Sequence, residues 1–470
     1  MPIPFLRSFT KIAFLAMLMI IISCAPKMQE VEAPIQDPKS FAAEGSVGIQ
    51  EKWWTSFEDP ILNRLIDTAL TSNLELAGSW EQFQASIASV KSQRSFLFPD
   101  IQAEARTGIS RPEPDFAGGE NSRVGVSAAY EIDLWGRIRS GIEAEEFRAQ
   151  ANYFDYQAAA MTISAETAIN WYRLVSAQKE LALIEEQVQT NENILKLIRA
   201  RYASGQIRAV DILRQENLLE STRNQQITFE TQVQLIENQL AVLLGTPPQN
   251  LAEIPVAGFP ELPKLPETGL PLELTRRRPD LKRAYSLVLA ADRDMAVAIR
   301  NKYPSISLDL SAQARSNDFN ALFKDWAYTL AGNIVAPLIY GGRLNAEVDR
   351  TEALKNQRLY EYGQTVLIAF REVEDAIIRE LKQKERITNL EKQLDLSAKT
   401  NKQLKLSFLN GLTDYLDVLL ALGQEQQLQR DLINAEQQLL EIRIGLYRAL
   451  AGSFETEREV EMEEVKYLEE

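Results

Sequence analysis

The chain repeats itself at long range. "RYASGQIRAVDIL" (201–213) answers to "SFLNGLTDYLDVL" (407–419), setting Tyr202, Gly205 and Asp211 opposite Phe408, Gly411 and Asp417. "FLFPDIQAEA" (96–105) answers to "NKYPSISLDL" (301–310), Gly136-Arg137 to Gly342-Arg343, and "LLG" (243–245) to "ALAG" (449–452). The offset stays at about 206 residues in a chain of 470. Solenoid repeats run to about 20–50 residues, so this is not one. Two copies of one large unit, with the same internal order, are required. The link between them, "GTPPQNLAEIPVAGFPELPKLPETGLP" (245–271), is rich in Pro and Gly and predicts an extended crossing.

Each unit opens with two alternating segments. In the first copy Ile101, Ala103, Ala105, Thr107 and Ile109 share one face, as do Val124, Val126, Ala128, Tyr130 and Ile132. In the second, Ile306, Leu308, Leu310 and Ala312 do so, then Trp326, Tyr328, Leu330 and Ile334. The intervening positions are mostly polar. Runs of about ten residues with this period suit tilted membrane strands, apolar toward lipid and polar toward a lumen. A soluble sheet packed on one face has the same pattern. Phe96, Phe98, Trp135, Tyr303, Phe319, Phe323, Trp326 and Tyr340 cluster near the strand ends, where interfacial girdles form. After each pair comes a long helical stretch. Residues 137–203 hold no proline and one glycine, Gly141. At 1.5 Å per residue such a helix spans about 100 Å. The expected apolar line is Met161, Ala165, Ala168, Tyr172, Val175, then Leu181, Ile184, Val188, Leu195, Ile198 and Tyr202. Gly205 and Gly411 end the long helices, and a second helix returns from each, with coiled-coil spacing at Leu428, Leu432, Ala435, Leu439, Ile442 and Leu446.

The N-terminus reads as a targeting segment. Arg7 and Lys11 precede the apolar run "IAFLAMLMIII" (12–22), which is too short to span a bilayer. It ends at the chain's single cysteine, Cys24, in "IISC", which resembles a lipobox with Ile21 in place of the usual leucine. A diacylglyceryl group on Cys24 is expected, and no other cofactor or metal. Ala25 follows, where an aspartate would have resembled an inner-membrane retention signal. The net charge is −15, and two units more negative once Arg7 and Lys11 are cut away. Nucleic acid is therefore a poor partner. With no histidine, the commonest general base and zinc ligand are missing. An enzyme is not expected.

Four strands cannot close a barrel, and an open edge cannot sit in lipid. Three copies would give twelve strands. "WWTSFEDPILNRLIDTALTSNLEL" (53–76), "YEIDLWGRIRSGIEAE" (130–145), "RYASGQIRAVDIL" (201–213), "RRRPDL" (276–281) and "APLIYGGRLNAEV" (336–348) together resemble the TolC-like outer-membrane efflux proteins, in particular the lipoprotein branch serving RND-type pumps. The likeness covers about 53–452. It implies a mixed fold: a homotrimeric twelve-stranded membrane β-barrel continued by a long periplasmic α-helical barrel. The implied function is a passive exit channel in the outer membrane, docked to a periplasmic adaptor and an inner-membrane RND-type transporter. A type I protein-secretion channel and a lipid-anchored coiled-coil envelope protein are the alternatives.

The expected order is a signal peptide (1–23), a lipidated tether (24–52), and a first repeat (53–245) with strands at about 100–110 and 123–135 and helices at 137–203 and 207–244. A linker (246–278) leads to a second repeat (279–452), with strands at about 304–315 and 326–338 and helices at 342–408 and 413–451. An acidic tail (453–470) follows, expected to be mobile over 455–470. By resemblance, Gly205, Gln206, Ile207, Gly411, Leu412 and Thr413 form adaptor-binding tips, and each glycine also suits a helix cap. Leu416 and Leu420 fall on the gate row; Leu420 stands where relatives often carry aspartate. Asp211 and Asp417 either cap the tips or line the lumen. Arg214, at the repeat position of Leu420, would pair with an acid across neighbouring helices. Trp135, Gly136 and Arg137, and Gly341, Gly342 and Arg343, make the strand-to-helix junctions. The overall charge predicts a cation-preferring lumen.

Overall fold

The computed structural model describes residues 34–35, 40–42, 45, 48, 50–110, 119–250, 258–269, 271–316, 319–450 and 452–459. Cys24 lies outside the described residues. The chain falls into two units, Met1–Ile35 and Gln36–Glu470, and the architecture below is that of the second.

A 3₁₀ turn (Trp53–Phe57) leads into α1 (Pro60–Ser72) and α2 (Leu74–Ser95). Asp59 caps α1 by accepting from the Ile61 and Leu62 amides at 2.9 and 3.1 Å, with Pro60 in the first turn. Then come β1 (Asp100–Ser110), β2 (Gly119–Ile132), α3 (Arg137–Ala203) and α4 (Ala209–Leu243). The second half runs α5 (Pro271–Arg277), α6 (Pro279–Arg300), β3 (Ser305–Ser316), β4 (Trp326–Val335), α7 (Arg343–Leu409) and α8 (Tyr415–Leu450). The repeat is thus visible as helix, strand, strand, long helix, return helix, twice. Helices α3 and α7 are each 67 residues, about 100 Å long. Among the described residues no helix is long and apolar enough to cross a membrane.

The four strands form one antiparallel sheet in the order β1-β2-β3-β4. Its register joins the apolar faces across strands. Ile101 lies opposite Ala128, and Ala128 opposite Leu310, which lies opposite Leu330. Tyr130, Leu308 and Gly332 share the next level. The polar face is equally continuous: Gln102, Ser127, Ser311 and Thr329 share a level. Asn333 donates to Asp309 at 2.6 Å on that face. Leu330 and Ile334 remain more than 70% exposed, so among the described residues no protein layer covers this apolar face. A soluble sheet would bury it; a membrane strand exposes it to lipid.

Each strand continues into a helix, and the helices near the sheet keep the strand order, α2-α3-α6-α7. Farther away the order is α4-α3-α8-α7. The main core sits between these levels. Trp53 stacks on Tyr447 at 5.7 Å between ring centroids, and Trp54 meets Phe454 edge-on at 5.0 Å. Phe57, Tyr156, Trp171 and Tyr172 complete a buried aromatic cluster. Phe454 anchors the start of the acidic tail, and Thr456 and Glu459, both buried, correct the expectation that it is mobile from Glu455 on. The Thr456 amide and hydroxyl both donate to the Glu459 carboxylate, at 2.7 and 2.9 Å, and Tyr156 lies 2.6 Å from the Thr456 hydroxyl. An apolar side chain four residues past α8 has found the core, which the surrounding acids concealed. The tether is likewise not free throughout: the Ala42 amide donates to Glu374 at 3.1 Å, and Phe41 packs edge-on against Phe370.

Two buried arginines fasten the link region. Arg443, fully buried, donates to both oxygens of Glu380 and to the carbonyls of Pro263 and Lys264. Arg278, from "RRRPDL", donates to Asp280 and Glu372 and to the Ala449 carbonyl at 3.2 Å.

Candidate functional site

The two helical hairpins meet at their tips. Gly205 and Gly411 adopt φ of 73° and 72°. The Gln206 amide donates to Arg201 and the Gly205 amide to Tyr202; Leu412 and Gly411 do the same to Ser407 and Phe408. Both turns are therefore Schellman caps, which need a left-handed residue that glycine supplies without strain. Arg201 ties one tip to the other. Its guanidinium lies 4.9 Å from the Phe408 ring centroid and donates to the Phe408 and Leu409 carbonyls at the end of α7. Gly205, Gln206 and Gly411 are exposed, and Leu412 is 79% exposed. Ile207 is half-buried and packs on the tip cluster of Ile198, Phe408, Tyr415 and Val418. Thr413 is half-buried and donates to Asp417 at 2.5 Å.

The residues expected at the gate separate. Leu416 is half-buried, whereas Leu420 and Asp417 are exposed on α8. Asp211 is buried, and its carboxylate accepts from the Arg208 amide at 3.3 Å and pairs with Arg208 and Arg214. Of the two roles open to Asp211, the structure gives the cap. Arg214 pairs with this acid of its own helix at 3.3 Å, not with one across neighbouring helices. A carboxylate three positions earlier is within reach along one helix face.

Below the tips runs a buried polar seam between α3 and α8 that the apolar pattern did not reveal. The buried line on α3 passes through Ile184, Gln187, Asn191, Leu195 and Ile198, with Gln187 in the place expected of Val188. Tyr202, also expected there, is exposed. Gln187 donates to the Gln426 carbonyl at 3.2 Å and accepts from Arg430 at 2.5 Å. Asn191 donates to Thr222 on α4 at 2.9 Å and accepts from Gln426 at 3.4 Å. Gln215 donates to the Asn191 carbonyl at 2.9 Å and accepts from Tyr415. Glu180 stands at the end of this seam, 2% exposed. Burial pushes its carboxyl up to about 7, against the opposing pull of Arg430 and Asn434. The signal lay in the sequence as polar residues at helical core spacing, three and four apart from Ile184.

The strand-to-helix junctions differ between repeats. Trp135 stacks on Tyr303 at 5.2 Å and donates to the Pro304 carbonyl at 2.7 Å. Gly136 turns with φ 76°, and Asp133 caps α3 by accepting from Ile138 and Arg139 at 3.0 and 2.9 Å. Arg137 forks onto Glu131 at 2.8 and 3.2 Å. Gly341 and Gly342 turn with φ 57° and 83°, and Arg343 lies over the Tyr340 ring at 5.1 Å. There Ile339 takes the repeat position of Asp133 and is 93% exposed. Among the described residues carboxylates brace only the internal junction; the other lies at the open edge of the sheet.

No cluster of metal-ligand side chains occurs among the described residues. What the geometry provides is a wall: a sheet with one lipid-ready face and one polar face, continued by long paired helices that end in joined tips.

The family model for "Outer membrane efflux protein" matches residues 65–246 and again 270–452, about one repeat apart. Among curated relatives, the pyoverdine export outer membrane protein OpmQ of Pseudomonas aeruginosa is 27% identical, covering 93% of this chain and 94% of its own length. The toluene efflux pump outer membrane protein TtgF of Pseudomonas putida is 30% identical, covering 86% and 85%. Among solved structures, the outer-membrane channel OprN superposes with a TM-score of 0.84 at 23% identity, over 91% of this chain and 99% of that one. A membrane protein from Pseudomonas aeruginosa does so at 0.82 and 27%, with the same coverage. The sheet, the duplicated helical frame and these matches together place the chain in the outer membrane efflux protein family.

Proposed function

We propose that three copies of this outer-membrane efflux protein form one continuous exit duct. Twelve strands would close the barrel, and the helices would carry it through the periplasm. The observation that supports this best is the agreement of the protomer's two edges. Strands β1 and β4 are unpaired on their outer sides. The helices at the edges below them, α4 and α7, each expose an apolar row: Leu213, Ile227, Leu235 and Val242 on one, and Tyr360, Leu367, Leu381 and Leu396 on the other. Spacings near seven residues or twice that suit interlocking helices. A cyclic assembly pairs both edges and leaves none in lipid.

The duct would conduct passively and catalyse no reaction. A periplasmic adaptor would dock at Gly205, Gln206, Gly411 and Leu412, and an inner-membrane transporter would supply energy and choice. Relatives named for pyoverdine and toluene export support small organic compounds as cargo. Cys24 would carry a lipid that adds a second hold on the membrane; a mature chain beginning at an unmodified residue other than Cys24, read by mass spectrometry, would refute that.

Leu412→Asp tests the docking role. The side chain is 79% exposed, so folding and trimer formation should be unaffected. A strain lacking the chain should become sensitive to toxic organic compounds and be rescued by the native protein but not by Leu412→Asp. Full rescue by the variant would overturn the docking assignment.

A further inference from the structure

The contact between α3 and α8 changes character at Glu180. Toward the sheet the two helices share the main core through Val175, Ala177, Leu440 and Ile444. Toward the tips the buried face of α3 carries Gln187 and Asn191 beside Ile184, and α8 answers with Gln426 and Arg430. At the boundary a buried carboxyl is short of partners. Glu180 is 2% exposed, and its Oε1 has no hydrogen-bond partner among the described residues. On α8, Arg430 is the cation that attracts it, yet that guanidinium donates to the neutral amides of Gln187 and Gln427, at 2.5 and 2.7 Å, rather than to the carboxyl. Asp431 also acts on Arg430. On α4, the bond from Asn191 to Thr222 sets the register. Eleven residues along each helix, about three turns, bring Glu180 level with Val233. Val233 carries no charge; Glu237, a turn beyond it, is half-buried, and Glu230 is exposed. On α3 itself, Lys179 lies over the Phe259 ring of the link at 4.0 Å and attracts Glu436 of α8. Arg173, two turns back, pairs with Glu441, and Glu185 and Glu186 are exposed. The link acid Glu261 and base Lys264 are exposed as well.

We infer that Glu180 is a proton-controlled latch between the two hairpins: protonated, it keeps α3 and α8 joined from core to tip, and ionised, it draws water into the seam and lets α8 part from α3. The reason is solvation. A carboxylate is far costlier to bury than a carboxylic acid, and only the parted seam hydrates it. Burial holds the group near 7 in the closed seam, against the ordinary 4.5 once solvated. The closed form is therefore favoured fully below about pH 4.5 and loses that favour as pH rises through about 7. The gap between the two values caps the change in the parting equilibrium at about 300-fold. In the three-copy duct, conduction would then rise with pH. That consequence rests on the duct proposed above; the latch itself is a property of one protomer.

The test is hydrogen exchange read by mass spectrometry on the detergent-purified full chain. Native protein is compared with Glu180→Gln at each pH from 5 to 8, so that intrinsic exchange rates cancel. The native-to-variant rate ratio for α8 amides from Gly423 to Asn434 should grow at least fivefold over that range. A variant that packs poorly shifts the ratio by a constant and leaves its pH dependence readable. The ratio for α3 amides from Tyr156 to Ala165, in the main core, should stay within twofold. An α8 ratio that does not change with pH, or a change equally large in the main core, overturns the latch. Planar-bilayer conductance of the same sample separates the two readings. A pH-dependent seam without conducting pores supports the latch and overturns the duct. Conducting pores with a seam indifferent to pH overturn the latch and leave the duct standing.

Discussion

Arg443 holds three segments at once: α8 through its own backbone, α7 through Glu380, and the link through two carbonyls. Burial pushes the Glu380 carboxyl up, but Arg443 and Lys384 outweigh it and hold the group below the usual range. Breaking such a pair leaves a buried charge, which costs about 3–5 kcal/mol. Arg443→Ala should therefore lower the unfolding midpoint sharply in a denaturant titration; a shift under about 1 kcal/mol would contradict this role. Glu180 behaves oppositely. Its folded value near 7 lies above the ordinary 4.5, so the folded chain keeps the proton longer than the unfolded chain does. The contribution of Glu180 to stability is therefore full below about pH 4.5 and is lost as pH rises through about 7. Glu180→Gln should flatten that slope and stabilise the protein at pH 8 by up to about 3 kcal/mol, read as thermal unfolding at several pH values. For Leu416 and Leu420 to form the constriction expected from the resemblance, Leu416→Ser with Leu420→Ser should raise single-channel conductance and alter drug sensitivity. No change in either would remove these leucines from the gate.

At the scale of elements, the sequence was most legible where periodicity was long. The two 67-residue helices and the alternation of all four strands follow from spacing alone. The tips were legible because a Schellman cap requires a residue such as Gly205 or Gly411 at positive φ. Gln187 and Asn191 escaped because they interrupt an apolar stripe with groups that are satisfied only across α4 and α8. Phe454 escaped because its partner Trp54 is 400 residues away in the chain. The same logic predicts opposite effects for two glycines. Gly136 needs its φ of 76°, so Gly136→Ala should destabilise by about 1 kcal/mol or more. Gly423 lies inside α8 with nothing within 4 Å of an added Cβ, so Gly423→Ala should stabilise by up to about 1 kcal/mol. Equal signs in thermal melts would contradict the assignment of the junction hinge.

At the scale of the whole molecule, a single protomer is incomplete. It exposes sheet edges, the apolar rows of α4 and α7, and the open junction at Leu338 and Ile339, 88% and 93% exposed. In the proposed trimer a second copy would cover one edge and a third would close the ring. Ile227→Asp with Leu235→Asp should therefore prevent assembly without touching the protomer's own core. The most direct measurement is the light-scattering mass of the protein extracted from the outer-membrane fraction, native chain beside this double variant. Three times the mature chain mass for the native protein, and one for the variant, is the expected result. A native protein that is a folded monomer, or a trimer indifferent to both aspartates, would contradict the account.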